Sequence, residues 1–178
     1  RYGAPILGEG QHGDDGQIAA FARRRQRFPH LRDVRNRLDG QQIDAAFAKY
    51  HGDFYQMPPM VSAIKKEGVP LYKLARQGKT VEREPRFVHG YAHEILAVNL
   101  PLVEFRVVCS KGFYVRTYAF DIGNELGCGA HLKSLRRTKS GKFTLEHAVT
   151  VEDLKTKPAA ELAAKVLSLP TVSRMRGA

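Results

Sequence analysis

Residues 102–127 constrain this chain more than any other stretch. From Val103 to Cys109 the apolar Val103, Phe105, Val107 and Cys109 alternate with the charged Glu104 and Arg106. This is the period-two pattern of a strand with one face buried and the other in water. Ser110, Lys111 and Gly112 turn the chain, after which Val115, Ala119, Ile122 and Leu126 recur at helical spacing, with Gly127 placed to end the helix. A half-buried strand followed at once by an amphipathic helix predicts a sheet covered by helices.

The rest of the chain extends that reading. Residues 86–97 and 102–109 form a predicted strand pair joined around Asn99–Pro101. Asp39 is placed to cap a helix from Gln41 to Tyr50, in which Ile43, Phe47 and Tyr50 share one face. The segment QMPPM, residues 56–60, is extended, because adjacent prolines exclude helix. LYKLARQG supplies one or two helical turns ending at Gly78. Lys142–Val149 reads as a strand, Thr150 with Asp153 starts a short helix, and Pro158 suits the first turn of the last one. Residues 3–17, rich in Gly, Asp and Gln, read as a loop. Strands and helices without strict alternation give an α+β class, with a mixed, mostly antiparallel sheet flanked by helices.

The 178 residues fit one domain. Lys and Arg number 29 against 18 Asp and Glu, a formal charge of +11. A phosphate-rich partner accounts for such an excess, because cations that neutralise phosphates release condensed counterions; a basic protein kept soluble by self-repulsion is the alternative. Residues 23–37 carry seven arginines against Asp33 alone, either a backbone-contacting arm or a solvated loop. No run approaches the roughly 18–20 apolar residues of a membrane span, and the opening residues lack a signal-peptide layout, so the expectation is a cytoplasmic protein without a membrane partner. Cys128 and His131 resemble half a zinc site, but the second ligand pair is missing and no metal is expected. No phosphate-cradling glycine loop is present, and no Ser-His-Asp arrangement has support beyond the residue types.

The stretch CSKGFYVRT, residues 109–117, sets an aromatic and an arginine two residues apart behind a cationic glycine turn. If residues 113–116 are extended, Tyr114 and Arg116 share a side. Tyr114 then suits stacking on an unstacked base, and Arg116 a forked contact with a phosphate or carboxylate. A buried tyrosine with an arginine closing over it fits the spacing equally well.

Longer motifs decide between them. PP-x-x-SA-x-K, G-x-x-x-Y-x-x-AR-x-G, VER, KG-x-YVRT, LGCGAHL and LRRT-x-x-G-x-F follow one another between residues 58 and 143. In this order they closely resemble the bacterial tRNA pseudouridine synthase B family, strongly over residues 40–155. The match is looser over 1–20, and 23–37 has the look of an insertion. The resemblance implies a pseudouridine synthase catalytic fold over residues 1–155, followed by a C-terminal helix and tail over 156–178. It implies an isomerase that converts a T-loop uridine of tRNA, commonly numbered 55, to pseudouridine without metal or organic cofactor, and a monomer bound to the tRNA T-arm. In that family the target base is flipped from its stack. An aspartate attacks the nucleoside, the glycosidic bond breaks, the uracil rotates, and C5 is joined to the sugar. By resemblance Arg116 pairs with that aspartate, Tyr114 packs on the flipped base and Leu135 lines the pocket. Tyr2 stacks on the base and acts at the C5 proton step. Lys133, Arg136, Arg137, Lys139 and Lys142 grip the RNA backbone.

One departure matters. The family's aspartate lies in a G-H-T-G-x-L-D-P type of motif, and no such stretch occurs in these 178 residues. Asp121, in the helix after Arg116, is expected to be structural. The chain opens on Arg1, so it is expected to be a piece of a longer protein that lacks the nucleophile, with Arg116 deprived of its carboxylate. The competing reading is a catalytically inactive RNA-binding or RNA-folding module on the same scaffold.

Overall fold

The computed structural model describes residues 14–15, 38–66 and 68–176. Tyr2 and the basic stretch 23–37 lie outside them.

The chain order among the described residues is β1 (Asp14–Asp15), α1 (Gly40–Ala48), β2 (Gly52–Gln56), β3 (Lys65–Lys66), β4 (Val69–Pro70), α2 (Leu71–Arg76), β5 (Arg86–Asn99), β6 (Leu102–Cys109), α3 (Val115–Glu125), β7 (Lys139–Ser140) and β8 (Phe143–Thr144). A 3-10 turn over Leu145–His147 follows, then α4 (Val151–Thr156), α5 (Ala159–Ala163) and α6 (Leu169–Arg176). A four-stranded sheet in the order β1-β6-β5-β2 forms the frame, with two short hairpins, β3-β4 and β7-β8, beside it. Every described pairing is antiparallel. The architecture is the expected α+β.

The expected strand pair is present. Residues Val103, Phe105, Val107 and Cys109 of β6 are buried, while Arg106 on the opposite face pairs with Glu94 of β5 at 2.8 Å. Two helices cover the buried face. On α1, Asp39 accepts from the Gln42 N–H at 2.7 Å, and Gln42 returns its side-chain oxygen to the Asp39 N–H at 3.1 Å. That capping box fixes the helix start. It aims Ile43, Ala46 and Phe47 at the sheet, where they meet Tyr118, Ala119 and Ile122 of α3 in one core. Aromatic edges lock the layers: Phe47 lies 4.9 Å from Phe105 and 5.6 Å from Tyr118, and Phe113 lies 5.2 Å from Tyr118. Such edge-to-face pairs add to the burial of their area.

Four expectations need correction. Asp14–Asp15 is a strand, paired with Val108 and Cys109 of β6; pairing through the backbone asks nothing of composition. Residues 113–116 are not a single extended run, since Tyr114 is extended (φ −107°, ψ 98°) and the helix begins at Val115. Lys142–Val149 is strand only at Phe143–Thr144, because a local box between Thr144 and His147 turns the chain into a 3-10 helix. Pro158 caps a five-residue helix, and a further helix, α6, follows it.

The LGCGAHL motif has a steric basis. Gly127, at φ 69°, ends α3 in the left-handed region that glycine enters without strain. The chain then folds back so tightly that the N–H groups of Cys128 and Gly129 both donate to the Gly123 carbonyl. A Cβ on Gly123 would sit 2.1 Å from the Ala130 nitrogen and 2.6 Å from the Gly129 carbonyl carbon. Both obstacles are backbone. Gly123→Ala is therefore expected to destabilise the fold by about 3 kcal/mol, lowering Tm by roughly 6–12 °C for a chain of this length. A melting curve within about 2 °C of wild type would show that the 127–131 loop steps aside.

Candidate functional site

The site grows from the two prolines. Pro58 and Pro59 have no N–H, so the segment after β2 cannot continue a ladder and offers carbonyl acceptors instead. Side chains supply the donors. Thr117 Oγ1 donates to the Met57 carbonyl at 3.2 Å, Arg83 Nη1 to that of Pro58 at 2.8 Å, and Arg116 Nη2 to that of Val61 at 2.7 Å. Gln56, the last residue of β2, bonds the Tyr114 backbone twice: its Oε1 accepts the N–H at 2.6 Å and its Nε2 donates to the C=O at 3.1 Å. The segment 56–61 is thereby fastened to the head of α3.

The structure thus brings Tyr114 and Arg116 together, by a route other than a shared strand face. Tyr114 is the N-cap of α3 and Arg116 lies in its first turn, both half-buried. That turn has no acidic residue, so the positive end of the helix dipole and the guanidinium act in the same direction. The arrangement suits an anion or the edge of a nucleotide. Rather than standing without a partner, Arg116 is held by the Val61 carbonyl.

Asp121 is five residues beyond Arg116, about 140° around the helix. Burial pushes its carboxyl above the usual range. Tyr50 feels it from the other side: burial first, then the Asp121 and Glu125 carboxylates, push the Tyr50 phenol up. Asp121 therefore lies on the Tyr50 side of α3, away from Arg116.

Leu135 is exposed, as are Lys133, Arg136, Arg137 and Lys142. They follow Leu132, which packs on the core, and run into the β7–β8 hairpin, where Lys139 is half-buried and pairs with Thr144. Lys142 Nζ donates to the Arg174 carbonyl at 3.2 Å, bringing the end of α6 and its Arg174 and Arg176 to the basic run. Behind the 56–61 segment lies a cleft of about 510 Å³ whose rim carries Lys65, Arg83 and Arg86 against Glu82 and Glu84. Three cations there meet two carboxylates, a small positive excess. Among the described residues no three His, Cys, Asp or Glu side chains stand close enough to hold a metal, and no helix is long and apolar enough to cross a membrane.

Gln56, Thr117 and Arg83 are the site residues that motif reading missed. The available signal was the proline pair, whose carbonyls require donors from elsewhere.

Comparison with known proteins identifies the family. Residues 25–115 match the TruB family pseudouridylate synthase N-terminal domain, and residues 116–169 match the tRNA pseudouridylate synthase B C-terminal domain. The tRNA pseudouridine synthase B of Opitutus terrae is 51% identical over 126 residues, 71% of this chain and 52% of that protein. That of Burkholderia lata is 57% identical over 116 residues, 65% of this chain and 36% of the relative. The Geobacter sulfurreducens protein of the same name is 46% identical over 142 residues, 80% and 46% of the two. The chain thus spans about half, or less, of the length of these curated relatives. Among solved structures, a chain of a Cbf5-Nop10-Gar1 complex superimposes with a TM-score of 0.57 at 28% identity, over 79% of this chain and 34% of that one. A chain of an H/ACA RNP bound to a substrate RNA containing 2′-deoxyuridine gives 0.53 at 22% identity, over 86% and 37%, a likeness of fold.

Proposed function

Because the chain belongs to the TruB family of pseudouridylate synthases, we propose that it forms the uridine pocket and part of the RNA grip of an enzyme that isomerises a T-loop uridine of tRNA, at position 55, to pseudouridine. The observation that carries this reading is the fastening of Arg116 and Tyr114 at the head of α3 to the carbonyls and amide of residues 56–61. A flipped uracil needs a flat surface and a fixed cation beside the reacting sugar. Tyr114 supplies the first. Arg116 supplies the second, orienting the carboxylate that attacks. The glycosidic N1–C1′ bond breaks, C5 takes its place on the sugar, the C5 proton leaves to solvent and N1 gains one, so the reaction is a redox-neutral isomerisation. Leu135 closes the apolar side of the pocket, and Tyr2 acts at the C5 proton step. We read residues 1–155 as catalytic domain and the rest as a C-terminal extension, in a cytoplasmic monomer that takes no cofactor.

Lys133, Arg136, Arg137, Lys139 and Lys142 hold the T-arm backbone in this reading. Their contribution is measurable without turnover. In a titration of tRNA affinity against salt, Arg136→Ala with Arg137→Ala is expected to flatten the log–log slope by about one unit for each phosphate no longer neutralised, roughly two in all. An unchanged slope would remove this run from the RNA interface. The activity itself is read as tritium released from tRNA carrying uridine labelled at C5.

A further inference from the structure

Gln56 is the most deeply buried polar side chain of the described residues, 1% exposed. Its amide meets a single peptide unit, accepting the Tyr114 N–H at 2.6 Å and donating to the Tyr114 C=O at 3.1 Å. This is the reciprocal pairing that a neighbouring strand would offer. It stands at the last residue of β2, with only Met57 between it and Pro58 and Pro59, which cannot carry the ladder further.

We propose that Gln56 is a positioning residue for the uridine pocket, an inference that rests on the functional reading above. By gripping the Tyr114 peptide it sets the direction of the Tyr114 ring and the starting angle of α3, and with them the Arg116 guanidinium. Three observations support it. Tyr114 caps α3 without a side-chain cap bond, and among the described residues Gln56 is the only partner of its N–H. The Tyr114 C=O already accepts the Tyr118 N–H at 3.0 Å, so Gln56 takes its second lone pair and holds the peptide on both edges. Arg116 is two residues further on, so a turn of that peptide swings it away from Val61. Glutamine offers one donor and one acceptor at this length without charge. Glutamate at this position would turn an acceptor toward the Tyr114 carbonyl, and leucine would offer neither group.

The test uses the protein as its gene encodes it, with tritium release from C5-labelled tRNA as readout, on wild type, Gln56→Leu and Gln56→Glu. Gln56→Leu is expected to lower kcat about 10–100-fold at every pH, with tRNA Kd within about threefold and circular dichroism showing a folded chain at the assay temperature. Gln56→Glu is expected to be as weak at high pH and to recover as pH falls. The neutral acid then donates its O–H to the Tyr114 carbonyl and accepts the N–H. Burial places that titration above the usual carboxylate range. Wild type lacks this limb. A merely structural role would appear as a lower Tm with kcat per folded molecule unchanged, and that result overturns the proposal, as does a Gln56→Glu to wild-type ratio that does not move with pH. A wild type that carries an upstream G-H-T-G-x-L-D-P type of motif and still releases no tritium overturns the functional reading itself. A wild type that turns over beside an undiminished Gln56→Leu overturns the positioning role alone.

Discussion

Incubated with tRNA tritiated at uridine C5, the 178-residue chain by itself is expected to release no label above background, at least about 10⁶-fold below an enzyme of ordinary efficiency. A chimera in which it follows the aspartate-bearing part of the Opitutus terrae relative is expected to turn over. The first half of the expectation rests on chemistry. Breaking the glycosidic bond and holding the sugar requires a nucleophile, and these residues contain no stretch of the G-H-T-G-x-L-D-P type. The nearest carboxylate in sequence, Asp121, lies about 140° around α3 from Arg116, on the side where its charge raises the Tyr50 phenol, the wrong place to pair with Arg116. The second half rests on the pocket. Tyr114 and Arg116 are already fixed at the head of α3, and the chain is 51% identical to that relative over 126 residues. Label released by the chain alone would put the nucleophile within it, and Asp121→Asn would be the first variant to make. A chimera that binds tRNA tightly and stays silent would favour the inactive RNA-binding module.

What was legible in the sequence was local. The alternation of β6 and the stripe on α3 were readable because one buried face fixes every second or every third to fourth residue. The Asp39–Gln42 and Thr150–Asp153 boxes were readable because both partners sit within one turn. The misses are non-local or driven by backbone. Asp14–Asp15 pairs with a strand more than ninety positions later through groups that every residue carries. Thr144 and His147 divert a β-prone run through side-chain bonds that propensity does not weigh. The site shows the same division. Motif order singled out Tyr114 and Arg116, which the structure brings together at the head of α3. Nothing in the order of residues says that Arg116 finds the Val61 carbonyl, or that a glutamine at the end of β2 faces a peptide 58 positions away. Those contacts join segments far apart in sequence, and they become visible only when each backbone group is asked where its partner lies.

In the active chimera, Arg116→Ala is expected to reduce kcat by at least about 10²-fold while tRNA Kd changes by no more than about threefold. The asymmetry follows from where the side chain sits. In the proposed reading, affinity for tRNA is spread over many phosphates along the basic run from Lys133 to Lys142, so removing one half-buried cation is expected to change it little. Turnover depends on the direction in which one carboxylate approaches one sugar carbon. In the proposed mechanism that direction is set by the planar guanidinium of Arg116, which the Val61 carbonyl holds at 2.7 Å. Arg116→Lys is expected to rescue little, because an ammonium on a flexible stem keeps the charge and loses the fork. The fold is expected to survive both changes, since the 56–61 segment stays tied to Tyr114 through Gln56 and to the side chains of Thr117 and Arg83. A melting curve separates a lost fold from lost chemistry. If Kd instead worsens in step with kcat, Arg116 holds RNA in the ground state, and the orientation of the nucleophile must be assigned to another cation.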